Sequence, residues 1–199
     1  MSKSEQALDP RVRRTRKLLK QAFMELMQKK GFNALTVQDI TDQAEINRAT
    51  FYAHYADKFE LHDQLLLEWF REKLNEYDVH QESSFCGNNL RNLIYAVCDY
   101  QARLSHGCHP ADLQYKPAIE ELIQGEIYSI VYQWMRQLEG IQQAEITAVA
   151  ISWSIFGAGL QWGKTQTHSK ELVADTVIAM IRDGLKSQVT RLPELVGSL

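Results

Sequence analysis

Along this chain apolar residues return every third or fourth position, segment after segment, and no stretch alternates with the period of a strand. Leu19, Ala22, Phe23, Leu26 and Met27 mark one buried stripe of a first helix. Asp9 and Pro10 open it as N-cap and first helical residue, and Gly31 after Lys29-Lys30 is placed to end it. Thr36, with Asp39 three residues on, caps a second helix of about two turns, whose inner face is Val37, Ile40 and Ala44. Asn47 caps a third. Asp57, with Glu60 at the third helical position, caps a fourth that keeps its apolar spacing from Phe59 through Leu61, Leu65, Leu66, Trp69, Phe70 and Leu74 to about Tyr77.

A polar break at 80–88 precedes a helix predicted over 89–105, and CHPADLQYKP (108–117) reads as a second irregular stretch. Pro117 opens a helix to about Glu139, stopped by Gly140; another spans 144–164; Ser169 caps a last one reaching about Val189. The expectation is an all-α protein of about nine helices, divided into a small N-terminal unit over 1–58 and a larger helical body over 59–199.

At 199 residues and 45% hydrophobic, the chain is long enough for one or two small domains with real cores. It has no run of 18 apolar residues, which argues against a membrane-spanning helix. Its first residues lack the apolar core of a secretory signal. Three cysteines, Cys86, Cys98 and Cys108, with no CxxC, suit a reduced cytoplasmic setting. The net charge of −3 hides an asymmetry. Residues 1–30 hold nine Lys/Arg against three Asp/Glu, whereas 61–199 hold eleven against seventeen. A basic amino end on an acidic body is a footprint for a polyanion; a solvated basic helix face is the plainer reading.

The chemistry concentrates in LTVQDITDQAEINRATFYAHYADKFEL, residues 35–61. Two short helices joined at Glu45-Ile46 after a longer supporting helix describe a helix-turn-helix, whose second helix enters the DNA major groove. Arg48 suits a guanine edge or a phosphate, Ala49 permits close approach, and Thr50, Tyr52 and His54 offer polar groups to phosphate oxygens. Gln38 stands one turn into the preceding helix. Lys58 opens the fourth helix, where backbone N–H groups already favour an anion. The joint spacing of Thr36, Ile40, Ala44, Ile46, Thr50, Tyr52, Tyr55, Lys58 and Leu61, with Ala22-Phe23 and Gly31-Phe32 before it, resembles the DNA-binding domain of the tetracycline-repressor (TetR) family over roughly residues 10–65. The resemblance implies that Thr36, Gln38, Arg48, Ala49, Thr50, Tyr52, His54 and Lys58 fall at DNA-contacting positions; Asn47, which caps the recognition helix, joins that candidate set. It also implies that Ile40, Ala44, Ile46, Phe51 and Tyr55 pack the unit. One departure is Glu45, where most family members carry glycine; a left-handed turn there costs a non-glycine residue roughly 1 kcal/mol.

Beyond residue 65 the resemblance is one of architecture: a helical domain that dimerises and holds an effector. The small and aromatic residues of 144–164 and the apolar face of the last helix fit a four-helix interface about a two-fold axis. Its candidates are Trp153, Phe156, Gly157, Leu160, Val177 and Ile181, and Gly157 and Gly159 would let another helix come close. Trp69, Tyr95, Cys98, Tyr128 and Tyr132 are candidates for an effector pocket, although aromatic residues at helical spacing are more often plain core. His106, Cys108 and His109 lack a fourth partner and give a weak zinc signal, so no metal and no cofactor is expected. No phosphate-binding glycine loop, GxSxG or HExxH is present, which argues against an enzyme. The resemblance therefore implies a repressor that binds a palindromic operator as a homodimer and is released by a small molecule. An activator, an adaptor without an effector, or less favourably an enzyme are the alternatives.

Overall fold

The computed structural model describes residues 9–107, 116–138, 141 and 143–186. Within them every element is a helix: α1 (Pro10–Ala34), α2 (Val37–Ala44), α3 (Arg48–Tyr52), α4 (Lys58–Glu76), α5 (Gly87–Gly107), α6 (Lys116–Arg136), α7 (Ala144–Thr165) and α8 (Lys170–Lys186). That makes eight among the described residues against the nine or so expected. The boundaries are close to those predicted because the caps are local chemistry. Asp9 accepts from the Arg11 amide at 2.7 Å, Asp57 from the amides of Phe59 and Glu60 at 2.9 and 2.8 Å, and Ser169 from that of Leu172 at 3.2 Å. Gly31 behaves differently from the simple stop expected of it. It takes φ 73°, ψ 165° and kinks the chain, after which Phe32–Ala34 resume helical geometry and close on a Leu35 N–H to Phe32 carbonyl bond of 3.2 Å.

The described residues divide into two compact units, the first comprising 9–68 with 116–119 and the second 69–107 with the described residues from 120 onward, so that the divisions fall inside α4 and α6. In the first, Leu19, Ala22, Phe23 and Phe32 of α1 meet Ile40 of α2, Phe51 of α3, and Tyr55, Leu61 and Leu65 in one buried cluster. Phe32 is its aromatic hub, edge-on to Phe23 and Phe59 with centroids 6.1 and 5.2 Å away. Ala44 and Ile46 pack against this cluster, partly buried.

In the second unit α5 is the central helix, packed chiefly against α7 and also against α8. Two glycines allow the close approach to α7. A Cβ at Gly159 would lie 2.5 Å from Val97 Cγ1, and one at Gly163 would lie 2.7 Å from the Gln101 backbone. The glycine pair that admits a helix is thus 159 and 163, and the helix admitted belongs to the same chain; around Gly157 there is open space. The 80–88 break is pinned: Phe85 is buried, and the Trp134 indole donates to the His80 carbonyl at 2.8 Å. The Lys170 ammonium of α8 reaches Asp99 at 2.8 and 3.0 Å and Tyr77 Oη at 2.7 Å, tying α8 to α4 and α5 within the unit. No described helix is long and apolar enough to cross a membrane.

Candidate nucleic-acid interface

The interface is built on the turn between α2 and α3. Thr36 and Asp39 form a complete capping box, with the Asp39 carboxylate accepting from the Thr36 amide at 2.8 Å and the Thr36 hydroxyl accepting from the Asp39 amide at 3.2 Å. Lys30, 2.7 Å away, and the Thr36 donors hold the Asp39 carboxyl down at about 2. At the other end of α2, Glu45 adopts φ 55°, ψ 40°, the left-handed conformation that its position suggested. Its N–H bonds the Asp42 carbonyl at 3.2 Å and that of Ile46 bonds Thr41 at 2.9 Å, the paired bonds of a glycine-type helix stop made here with glutamate. The geometry is retained and the strain accepted.

Asn47 then caps α3, its Oδ1 accepting from the Ala49 amide at 2.8 Å, so this side chain is engaged in the fold. Phe51 points into the core at 0% exposure and anchors the five-residue helix. On its outer side Arg48 and Ala49 are exposed and Tyr52 is 47% exposed. Arg48 donates to Tyr52 Oη at 3.2 Å with its guanidinium 5.6 Å from the ring centroid, which lays the cation along the helix surface. Thr50 is half-buried beside them, and Gln38, exposed on α2, donates to Asp42 at 2.6 Å. His54 is half-buried, and burial, assisted by Arg16, pushes its imidazole below the usual value, favouring the neutral ring. Tyr55 is buried, as the packing role required. Lys58 is turned inward: its ammonium donates to the carbonyls of Phe32, Asn33 and Leu35 at 2.9, 3.4 and 2.7 Å. Arg48, Ala49 and Tyr52 are thus exposed on α3 with Thr50 half-buried among them, and Gln38 and Thr36 are exposed on α2 and at its cap.

The model of the bacterial regulatory proteins, tetR family, matches residues 18–65, the segment just described. Residues 18–65 are thus similar to the DNA-binding segment of the tetR family. YxbF of Bacillus subtilis, an uncharacterised HTH-type transcriptional regulator, is 47% identical over 58 residues, 29% of this chain and 15% of that protein. The HTH-type dhaKLM operon transcriptional activator DhaS of Lactococcus lactis is 34% identical over 62 residues, 31% of this chain and 33% of that protein. The matches thus span a third or less of these relatives. The solved structure of the dihydroxyacetone kinase operon activator DhaS is similar over 88% of this chain and 98% of its own, with TM-score 0.58 at 17% identity. A tetR-family regulator from Streptomyces coelicolor is similar over 92% and 86%, with TM-score 0.57 at 15% identity. At such identities these likenesses show the fold alone. The family and the curated relatives are transcriptional regulators, not enzymes.

The candidates of the second unit fare unequally. Trp153 and Gly157 are exposed on α7 and Leu160 is half-buried, whereas Phe156, Val177 and Ile181, at 3, 7 and 7% exposure, pack inside the unit. The outer apolar faces instead carry Ile146, Val149, Leu172 and Met180, all exposed. Periodicity alone did not separate the two sets, because α7 is apolar on nearly every side. An open groove of about 690 Å³ runs between α7 and α8, with Trp162, Leu172 and Met180 in its walls. Cys98 is fully buried and its thiol is pushed up to about 12 by that burial. Trp69 lies under the Arg103 guanidinium at 4.0 Å, Tyr95 lies 4.9 Å from the Lys170 ammonium, and Tyr128 and Tyr132 stack at 5.6 Å on α6. Cys108, His109 and the side chain of His106 lie outside the described residues.

Proposed function

We propose that this chain is a DNA-binding transcriptional regulator that reads a palindromic operator as a homodimer. The observation that carries the reading is α3: a five-residue helix anchored inward by Phe51 that leaves Arg48, Ala49 and Tyr52 exposed. In this reading Arg48 reads a base edge, Ala49 allows close approach, Thr36, Thr50, Tyr52 and His54 take phosphates, and Asn47 acts through its cap. The basic first half of α1 adds sequence-independent attraction. The exposed residues of α7 and α8, Ile146, Val149, Trp153, Leu172 and Met180, support the homodimer, since a lone chain leaves them in water.

A small molecule taken up by the second unit, near Trp69, Tyr95, Cys98, Tyr128 or Tyr132, would change the spacing of the two recognition helices, provided it binds the two states unequally. Release from the operator would make the protein a repressor acting in the cytoplasm. Activation is the second reading, favoured by the similarity to a protein named as an operon activator. Recovering genomic fragments bound by the purified chain, then placing each site relative to its promoter, tests both readings. A site overlapping the promoter supports repression and one upstream supports activation; no enriched duplex at low salt would overturn the DNA-binding reading.

A further inference from the structure

Lys58 stands in a setting that its place in the recognition segment did not suggest. An ammonium group has three N–H donors and no acceptor. Here they meet three carbonyls, those of Phe32, Asn33 and Leu35, at 2.9, 3.4 and 2.7 Å. Phe32 and Asn33 lie in the last turn of α1, where carbonyls lack helical partners and the helix dipole favours a cation. The ammonium also lies 4.7 and 5.4 Å from the ring centroids of Phe32 and Phe59, so apolar faces shelter it. Leu35 immediately precedes Thr36, the cap of α2, and Lys58 is the first residue of α4. This contact therefore joins the two ends of the segment 36–57, which contains α2, the Glu45 turn and α3.

We infer that Lys58 is a positioning residue: it clamps the α1–α2 corner to the start of α4, and so sets the orientation of the recognition helix, in place of contacting a DNA phosphate. This rests on the proposed DNA-binding reading for its functional effect, but the clamp itself belongs to the free protein. A phosphate ligand would have to compete with three carbonyls already seated on the same three protons. Closing the segment at its two ends lowers the number of orientations open to α3 before any duplex arrives, which is pre-organisation by a single side chain.

The first test needs no variant and no DNA. Lysines of the full chain are acetylated with a water-soluble active ester and followed by mass spectrometry. Lys58 should react at least tenfold more slowly than exposed Lys17 and Lys29. Reaction at their rate in the free protein, with protection only after a duplex is added, would overturn the inference. The second test uses a duplex selected from a random library by the unmodified chain. Lys58→Met should lower affinity about tenfold while leaving the slope of log affinity against log salt unchanged, because no counterion-releasing contact has gone. Amide exchange over residues 33–40 of the free variant should accelerate. Lys58→Arg keeps the charge but carries a planar fork ill-suited to three converging carbonyls, and should bind as weakly as Lys58→Met. A salt slope shallower by about 1 in Lys58→Met, with full binding by Lys58→Arg, would return Lys58 to the phosphate contacts. Should the unmodified chain select no duplex, the acetylation and exchange results still decide the clamp separately from the DNA-binding reading.

Discussion

The two units expose opposite kinds of surface. Around α3 the outward residues are cationic, hydroxylic or small, and the apolar ones, Ile40, Phe51 and Leu61, are wholly buried. On α7 and α8 the outward residues include Ile146 at 66% and Met180 at 68% exposure, with Trp153 at 54%. The first surface is stable in water and gains from a polyanion; the second is costly in water and gains from being covered. Their internal construction differs in the same sense. The first unit is shaped by caps and a clamp, polar devices that fix angles, whereas the second is shaped by glycines that let apolar helices approach to backbone contact.

That contrast is most severely tested at Trp153. Trp153→Glu places a charge on the exposed apolar face and should convert a dimer to a monomer in sedimentation equilibrium, with operator affinity falling about a hundredfold or more as bivalent binding is lost. An unchanged molecular weight would break the assignment of that face to a second copy. Next in size are two glycines within the second unit. Gly163→Ala should cost about 1–3 kcal/mol in denaturant unfolding, because its Cβ would meet the Gln101 backbone. Gly125→Ala, on α6 with nothing within 4 Å of the new Cβ, should stabilise by about 0.5–1 kcal/mol. Equal effects from the two would mean that the close approach of α5 and α7 is not where the packing is set.

In the first unit, Arg48→Ala should cost about 1–3 kcal/mol of operator affinity and relax preference at one base pair, measured by binding to a panel of single-position variants. Uniform weakening across the panel would reduce Arg48 to a phosphate contact. Glu45→Gly exchanges a strain of about 1 kcal/mol for the greater unfolded-state freedom of glycine, so thermal unfolding should shift by no more than a degree or two, upward if strain prevails. A large destabilisation would show that the glutamate side chain, not the turn geometry, matters there. The smallest effect concerns pH. Asp39 has its folded carboxyl lowered to about 2 from 3.8, so its cap and ion pair with Lys30 are fully stabilising above 3.8 and fade as pH falls from there through 2. Asp39→Asn should remove that part of the acid dependence, and identical acid unfolding curves would refute it.

What could be read from the sequence follows the range of the interactions. Thr36 with Asp39, Asn47 with Ala49 and Asp57 with Glu60 are bonds between residues two or three apart, so their spacing states their geometry. The left-handed turn at Glu45 was suggested only by the family resemblance, in which most members carry glycine there, and the sequence left open whether glutamate would keep it. The setting of Lys58 was not legible, because its carbonyl partners lie 23–26 residues earlier and converge only after Gly31 has kinked α1. Phe156 and Trp153 share a helix that is apolar almost all round, so which of them faces outward depends on Gly159 and Gly163 seating against Val97 and Gln101. That pairing joins residues more than 60 apart and leaves no local mark.

The four tryptophans end up in four distinct settings: Trp69 beneath a guanidinium, Trp134 buried with its indole N–H on a carbonyl, Trp162 donating to the His168 carbonyl at 2.8 Å, and Trp153 largely in water. The protein thus carries its own optical gauge. Emission from Trp153 lies toward the red in an isolated chain and moves to the blue when its face is covered, while Trp134 supplies a fixed internal reference. A dilution series read by fluorescence alone can follow assembly without attaching any label to the chain.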